Sequence, residues 1–498
     1  MRIGIINVGA SAFRMYVGEY TGNKEKKLDF LIKPLRIGAD TFTQGYITLE
    51  NVKKATEILK LFRLKLDEYK VDTYRAVCTS GVREALNKDF FLDYTLLHSD
   101  IKLEVLDSAE EIYIKYVGAK NSVKNFSTLE AGGLVFANVA SGNVTLNITH
   151  KNTLVYAGTL PYGSLRMRQM FLDMPQLRRN KAIEEYVSTM LSRVASTIDP
   201  GLKLSHLLGS GSSINLILRL FGTEEQISHE QLTSIYEEVR ALSPEEISKK
   251  LSLREDEADV LVPMLITYIE LLNFVKAHSF SFSIHNFPQT LARYHTGIIK
   301  DSHKNARLRS TLVSVAKKYR SDTRHAKWVS FFARKLFLAL EELHSLSKGD
   351  LFVLESAAIL SDVGYFISSD ASAENAYHIV KALRLPGLET HRSTLAANIV
   401  FEAMRTARQA QTFRDNLTAV EQLTVIKLSA ILRLAKALDA SRARNITDIE
   451  VSVGDVILVS AYTELEPYLE IYSFEKQKQY FLEIFGVALE LKVRINYE

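Results

Sequence analysis

Two short loops of small residues could bring backbone amides close to a phosphate group. The first, INVGASA (6–12), joins the apolar runs RIGII and FRMYVGEY, and the second, ANVASGN (137–143), joins GGLVF and VTLNITH in the same way. Small side chains leave the N–H groups of such a loop open to an anion. An ordinary surface hairpin is the other interpretation of each loop. The candidate phosphate-binding residues are Gly9, Ala10, Ser11, Ser141, Gly142 and Asn143.

A second candidate for anion binding is CTSGVREALN (78–87), which ends a predicted strand and begins a predicted helix. The free N–H groups and the dipole of a helix start favour an anion. Arg83, in the first turn, could bind two phosphate oxygens at once. The alternative is that Thr79 or Ser80 caps the helix and that Arg83 is solvated.

Glu111 has two possible roles. The sequence Ser108-Ala109-Glu110-Glu111 fits a capping box, in which the glutamate bonds back to the N-cap residue and does no chemistry. A carboxylate at the start of a helix that faces a cleft could instead orient a water for attack on a phosphate.

Other polar motifs carry weaker signals. GSGSS (209–213) follows a predicted strand, so Gly209 and Gly211 could approach a phosphate closely, although a plain turn explains them equally well. His325 and Asp362 are of metal-ligand type, but nothing nearby in sequence completes a ligand set. The single cysteine, Cys78, lies in an apolar run and is expected to be an inert core thiol.

Composition restricts the class of protein. The 498 residues allow two to four domains, and 47% hydrophobic with 24% charged residues is typical of a soluble globular protein. We expect a cytoplasmic protein without a membrane segment, because there is no signal-peptide pattern and no apolar run near the roughly 20 residues that span a bilayer. One tryptophan and no basic-aromatic cluster argue against a nucleic-acid partner.

The elements that must position these residues fall into four predicted domains. Strand and helix signals alternate in residues 1–120 and restart, again from a hairpin, in 121–305. Two such α/β halves suggest a duplication with a cleft between them. Residues 306–441 carry helical signals almost throughout, and residues 442–498 predict a small α+β domain with a hairpin turning at 454–455.

Seven segments resemble, in the same order, those of the exopolyphosphatase/guanosine pentaphosphate phosphohydrolase (Ppx/GppA) family. The resemblance extends over nearly the whole chain, and TSGVREALN is its most specific segment. The segments are TSGVREALN (79–87), LDSAEEIYIKYVGA (106–119), GTLPYGSLRM (158–167), GSGSS (209–213), EADVLVPML (257–265), LRLPGL (383–388) and ILRLAKALD (431–439).

The resemblance implies a fold and an activity. The fold is α/β, with two RNase H-like lobes of the actin, sugar kinase and heat-shock chaperone type, followed by an all-α HD-like domain and the small α+β domain. The activity is release of the terminal phosphate from polyphosphate or pppGpp by a homodimer. In this hydrolase Glu111 would orient the water, and the two loops would hold the phosphate chain together with Arg83, Asn87, Gly163 and Ser164.

Several family positions are substituted in this chain. The aspartates of the family's two phosphate loops correspond to Asn7 and Asn138, and the glutamate that ends the second loop corresponds to Thr145. In the HD-like region the family's Leu-His-Asp-x-Gly is Leu-Ser-Asp-Val-Gly at 360–364, and the last aspartate of its metal set corresponds to Lys436. We therefore expect no metal in the helical domain.

These substitutions leave two functions open, a hydrolase and a binding protein. An asparagine offers a carbonyl oxygen without charge, so Asn7 and Asn138 would hold the Mg²⁺ of a hydrolase poorly. The same change removes repulsion from a phosphate chain, so a catalytically inactive polyphosphate- or nucleotide-binding regulator or scaffold is also consistent. A sugar or acetate kinase of the same fold is a distant third, because TSGVREALN is specific to the phosphohydrolases.

Overall fold

The computed structural model describes residues 1–222, 226–284, 286–299, 304–405 and 414–495. Its internal contacts divide the chain into Met1–Ser302 and His303–Glu498, which we call the N-terminal and C-terminal units. The N-terminal unit contains two sheets, and the part around each sheet is called lobe I or lobe II.

Lobe I is built on a mixed five-stranded sheet. Its strands are β1 (Arg2–Val8), β2 (Ala12–Thr21), β3 (Lys24–Pro34), β4 (Thr73–Cys78) and β5 (Leu103–Val105), in the order β3-β2-β1-β4-β5. The predicted hairpin is confirmed, since β1 pairs antiparallel with β2. β1 also pairs parallel with β4, and its nearly continuous apolar sequence suits a central strand buried on both faces.

The helices of lobe I follow the predicted pattern except at one point. They are α1 (Ile37–Gln44), α2 (Leu49–Glu68), α3 (Ser80–Arg83), α4 (Lys88–Ser99), α5 (Ser108–Ser122) and α6 (Phe126–Gly132). The apolar stripe of α2 is buried as expected, and the Thr48 side chain caps it by accepting from the Asn51 N–H. The helix predicted over TSGVREALN is wrong in length, because α3 has only four residues.

Lobe II repeats the opening hairpin. Its strands are β6 (Leu134–Val139), β7 (Val144–His150), β8 (Thr153–Leu160), β9 (His206–Ser210), β10 (Gln226–Ser228) and β11 (Ser279–Phe282), in the order β10-β11-β9-β6-β7-β8. The antiparallel pair β6–β7 and the parallel pair β6–β9 correspond to β1–β2 and β1–β4 of lobe I. The two loops of interest therefore leave the ends of equivalent strands.

After β8, the described residues of the N-terminal unit form seven more helices. They are α7 (Ser164–Met170), α8 (Gln176–Ala195), α9 (Ser212–Phe221), α10 (His229–Val239), α11 (Pro244–Leu251), α12 (Glu255–Val275) and α13 (Phe287–His295). The last of these, α13, returns to lobe I and packs against β1, β2 and α5.

The sequence has no uninterrupted apolar run near 20 residues, as expected, but α12 still passes a test for a membrane-spanning helix. Its 21 residues pass that test by length and composition, alone among the helices of the described ranges. About two thirds (67%) of its most apolar window is buried inside the structure. It contributes residues such as Leu261, Leu265 and Leu272 to the core of lobe II, as the central helix of a globular lobe does.

The C-terminal unit contains helices and a small sheet. Its helices are α14 (Lys304–Lys318), α15 (Thr323–Ala339), α16 (Glu341–His344), α17 (Lys348–Leu360), α18 (Ser372–Ala382), α19 (Thr390–Met404), α20 (Ala419–Ala437) and α21 (Tyr468–Phe485), with a 3₁₀ turn at Val363–Phe366. The sheet consists of β12 (Ile446–Ser452), β13 (Val456–Thr463) and β14 (Ala488–Ile495).

Two local predictions for this unit are confirmed. β12 and β13 form an antiparallel hairpin across 453–455, and α21 ends at Gly486, which is in the left-handed conformation with φ 71°. One continuous core joins the helices to the sheet through residues such as Leu428, Val459 and Phe481.

Candidate functional site

The two small-residue loops face each other between lobe I and lobe II. Both are tight turns, since the Gly9 N–H donates to the Ala12 carbonyl (3.1 Å) and the Ala140 N–H donates to the Asn143 carbonyl (3.0 Å). Ser11 Oγ and Ser141 Oγ share a hydrogen bond of 2.8 Å across the gap. The hairpin interpretation is therefore correct as local structure, yet the loops do not lie on an open surface.

The loops line a cavity of about 360 Å³, which we call the cleft. Besides residues of the two loops, its lining includes Arg14, Glu111, Lys115 and Gly211. The lining combines two loops of small residues with the cationic side chains of Arg14 and Lys115, a combination that suits an anion.

Asn7 and Asn138 lie at corresponding positions, one residue before the end of β1 and of β6. Both side chains line the cleft and are buried. The Asn138 amide donates to Ser210 Oγ at 2.8 Å, but the Oδ1 atoms of both asparagines are buried without a hydrogen-bond partner in the described part of the chain. Two unused acceptors thus call for a hydrogen-bond donor, such as water, in the cleft.

Glu111 is held between two cations. The capping-box role is wrong, because the N-cap of α5 is Asp107, which accepts from the Ala109 and Glu110 N–H groups. Instead Glu111 Oε1 accepts from Lys115 Nζ (2.6 Å), and Oε2 accepts from the Arg83 guanidinium (2.9 Å). Burial alone would raise the pKa of Glu111, but Lys115 and Arg83 lower it to about 2.

The geometry limits the chemistry of Glu111. Both carboxylate oxygens are engaged, and a carboxylate with so low a pKa is a weak base near neutral pH. It can orient a water or a hydroxyl group through a remaining lone pair, but it is poorly suited to remove a proton.

Arg14, which the sequence analysis missed, contributes a cation to the cleft. It lies on β2 directly after the first loop, and the one hydrogen bond from its guanidinium to a described residue, to the Ala12 carbonyl, is long at 3.5 Å. Burial lowers the pKa of its guanidinium, and none of the described residues forms an ion pair with it. An isolated arginine in a strand carries no sequence signal that would predict a binding role.

Lys115 was also missed, although its signal was present in the sequence. It follows Glu111 by four residues, a spacing that places two side chains together on one face of a helix. Its side chain is 10% exposed and lies over the Phe287 ring, 5.7 Å from the centroid.

Arg83 and Asn87 are placed differently from the expectation. The Arg83 guanidinium donates to the Leu106 carbonyl and to Glu111, and it reaches the site only through that glutamate. The Asn87 side chain bonds to the backbone N–H and carbonyl of Ile47 and is not among the residues that line the cleft. A four-residue helix also offers no extended dipole.

Among the remaining predicted glycine and serine positions, Gly163 and Gly211 support the second loop. A Cβ at Gly163 would lie 2.3 Å from the Ser141 backbone, and one at Gly211, where φ is 108°, would lie 2.3 Å from the Val139 carbonyl oxygen. Gly211 lines the cleft, whereas Ser164 lines an adjoining cavity of about 300 Å³. Gly209 packs against Tyr268 and Phe280 and does not line the cleft.

Arg166 ties the second loop to lobe I. Its Nε donates to the Gly142 carbonyl (2.6 Å), its guanidinium bonds Glu84 (2.5 Å), and it stacks on the Phe42 ring at 4.0 Å. Arg36 of lobe I and Arg168 of lobe II both bond Asp259. These bridges fix the spacing of the two loops.

The residues of the cleft do not fit a protein-held Mg²⁺. Glu111 is the one carboxylate among the lining residues that the structure describes, and both of its oxygens are in ion pairs. The unpartnered Oδ1 atoms of Asn7 and Asn138 are neutral, and the ammonium group of Lys115 would repel a divalent cation.

In the C-terminal unit, a lysine also pairs with a buried carboxylate. Asp362 accepts from Lys436 Nζ (2.7 Å) and from Arg442 (2.6 Å). His325 instead pairs closely with Asp439 (2.7 Å), and its Nε2 is 3.7 Å from Asp362. Burial would raise the pKa of Asp362, but Lys436 and Arg442 lower it to about 2. The side chains that could have served as ligands are thus bonded within the protein.

The ion pairs of Glu111 predict a pH-dependent stability. Because its pKa falls from 4.5 to about 2 on folding, the stabilisation is complete above pH 4.5 and is lost as the pH decreases toward 2. At pH 7 the Glu111→Gln variant should unfold at a lower temperature than the wild type, and the difference should shrink by pH 3. Calorimetry at both values tests this, with Glu104→Gln, a half-exposed glutamate paired with Arg75, as the control. If the two unfolding temperatures differ by the same amount at both pH values, Glu111 does not have the lowered pKa.

Two family models and several named relatives match most of this chain. A model of the Ppx/GppA phosphatase family matches residues 27–284, and a model of domain III of that family matches residues 307–466. Two relatives named guanosine-5'-triphosphate,3'-diphosphate pyrophosphatase are each 21% identical to this chain. The one from Photobacterium profundum aligns over 88% of this chain and 87% of its own length, and the one from Vibrio atlanticus over 86% and 85%.

Solved structures share the fold. An exopolyphosphatase from Cytophaga hutchinsonii superimposes with a TM-score of 0.53 at 21% identity, covering 60% of this chain and 98% of its own. An exopolyphosphatase-like protein gives 0.52 at 18% identity, with 59% and 98% covered. Together with the family models, these confirm the expected fold class of two RNase H-like lobes followed by a helical domain.

Proposed function

This chain belongs to the Ppx/GppA phosphatase family, and from that premise we propose that its cleft binds the terminal phosphates of polyphosphate or a guanosine pentaphosphate and hydrolyses the terminal anhydride slowly. Water would attack the terminal phosphorus, the bridging P–O bond would break, and phosphate and a shortened chain would leave. The observation that carries the proposal is the position of Arg14, which has no carboxylate partner among the described residues, in one cavity with both small-residue loops.

The binding part of the proposal follows from charge. A phosphate chain in the cleft would meet the Arg14 guanidinium, the Lys115 ammonium group and the backbone of both loops. Charge-assisted hydrogen bonds from such groups are the strongest that a protein offers to phosphate. Asn7 and Asn138, being neutral, do not repel the chain.

The slow rate follows from the same residues. Phosphoryl transfer in proteins depends mainly on stabilising the charge of the transition state. Loss of one comparable electrostatic contact costs on the order of 10²–10³ in rate, and both family aspartates are asparagines here. Glu111 remains to orient the water, but its oxygens are shared with Arg83 and Lys115.

The second candidate is a protein of the same family that binds a phosphate chain without hydrolysing it and acts as a regulator or scaffold. It is favoured by the pairing of Glu111 with two cations, which leaves no free carboxylate among the described residues that line the cleft. The two candidates share the binding site and differ only in turnover.

Phosphate release from long-chain polyphosphate and from pppGpp tests the proposal. We expect slow release by the wild type and none above background by Glu111→Gln, with Glu104→Gln, an exposed glutamate, behaving like the wild type. Binding of polyphosphate without any release would favour the second candidate. If neither compound binds, both candidates are wrong.

A further inference from the structure

Lys115 lines the cleft and contributes a positive charge that can neutralise part of a bound phosphate chain. Its Nζ is 2.6 Å from Glu111 Oε1, and the side chain lines the same cavity as both loops. With the side chain only 10% exposed, its position is set by Glu111 on the same helix and by the Phe287 ring.

An ammonium group has three donors. One is used by Glu111, and the described residues accept no hydrogen bond from the other two. These donors are available to phosphate oxygens, so Lys115 can bridge Glu111 and a bound phosphate chain.

We infer that Lys115 replaces the divalent cation in this cleft, so that the chain binds its polyphosphate ligand without Mg²⁺. The inference rests on the proposed function, because it concerns the ligand of the same cleft. The residues present do not fit a protein-held Mg²⁺, and Lys115 supplies a fixed positive charge at the same carboxylate.

Titration with tripolyphosphate, in excess Mg²⁺ and in excess EDTA, tests the inference. We expect the wild type to bind with similar affinity in both conditions. Lys115→Met should weaken binding in EDTA by roughly tenfold to a hundredfold, the usual worth of a charge-assisted hydrogen bond, whereas Lys115→Arg should retain most of the affinity. Lys120→Met removes a lysine of the same helix that does not line the cleft, and it should bind like the wild type.

A double variant separates contact with the ligand from neutralisation of Glu111. If Lys115 only cancels the charge of Glu111, the Glu111→Gln, Lys115→Met variant should regain wild-type affinity. If Lys115 donates to the phosphate, as inferred, the double variant should stay weak. Circular dichroism identifies any variant that does not fold, and Lys115→Arg then remains the informative comparison.

The outcomes distinguish this inference from the proposed function. Binding by the wild type only in Mg²⁺, or unchanged binding by Lys115→Met, would overturn the role of Lys115 and leave the proposed function standing. If the wild type binds no phosphate chain under either condition, the proposed function itself fails.

Discussion

The double substitution Asn7→Asp, Asn138→Asp is expected to raise Mg²⁺-dependent phosphate release from polyphosphate by on the order of 10²–10³ or more, the range that one such electrostatic contact contributes. Each asparagine already lines the cleft and already has an unpartnered Oδ1. Replacing two neutral oxygens with two carboxylates supplies the charge that holds Mg²⁺. Steady-state phosphate release, measured in Mg²⁺ and in EDTA, checks the prediction.

Lys115 should limit this gain. Its ammonium group would still repel a metal near Glu111, so adding Lys115→Met to the double variant is expected to increase the rate further. Asn152→Asp, which adds a carboxylate at an exposed turn of lobe II, is the matched control and should change nothing. If the folded double variant releases phosphate no faster in Mg²⁺, the two missing carboxylates are not what limits the rate, and the prediction is wrong.

The second large effect is expected in the C-terminal unit. Lys436→Met should lower the free energy of unfolding of this unit by about 2–3 kcal/mol, somewhat less than the 3–5 that an unpaired buried charge costs, because Arg442 remains beside Asp362. Asp362 is only 7% exposed, so water cannot replace the lost partner.

The single tryptophan makes this measurement specific. Trp328 lies on α15 and donates to the Ile446 carbonyl, so its fluorescence reports unfolding of the C-terminal unit in urea. Lys318→Met, at the exposed end of α14, is the control. The double variant Asp362→Asn, Lys436→Met should recover most of the lost stability, and equal instability of the single and double variants would contradict the ion-pair account.

Local sequence signals predicted the secondary-structure elements around the cleft. The two hairpins follow from apolar runs interrupted by small residues, and α2 follows from its apolar stripe. Cys78 is buried as predicted, and burial raises the pKa of its thiol, which agrees with an inert core position.

Contacts between distant segments could not be predicted in the same way. The pairing of Arg83 with Glu111 joins residues 28 positions apart, and it depends on how α3 and α5 pack. The hydrogen bonds that hold Asn87 to Ile47 depend on the loop before α2. Arg14 contacts the first loop beside it in sequence, but its position in one cavity with the second loop depends on how the two lobes pack.

The two lysine–carboxylate pairs have a common consequence. In each unit a lysine neutralises a buried carboxylate that could otherwise bind a metal. Lys115 pairs with Glu111 in the cleft, and Lys436 pairs with Asp362 in the C-terminal unit. In the C-terminal unit, the ion pairs of Asp362 with Lys436 and Arg442 therefore have a structural role. The cleft differs because Arg14 and Lys115 line one cavity together with both small-residue loops.

The most direct test of the central claim is a crystal structure of the wild-type chain with tripolyphosphate. We expect a terminal phosphate between the loops at 9–11 and 141–143, in contact with Arg14 and Lys115. A well-ordered tripolyphosphate bound elsewhere on the chain, with no phosphate in the cleft, would contradict it.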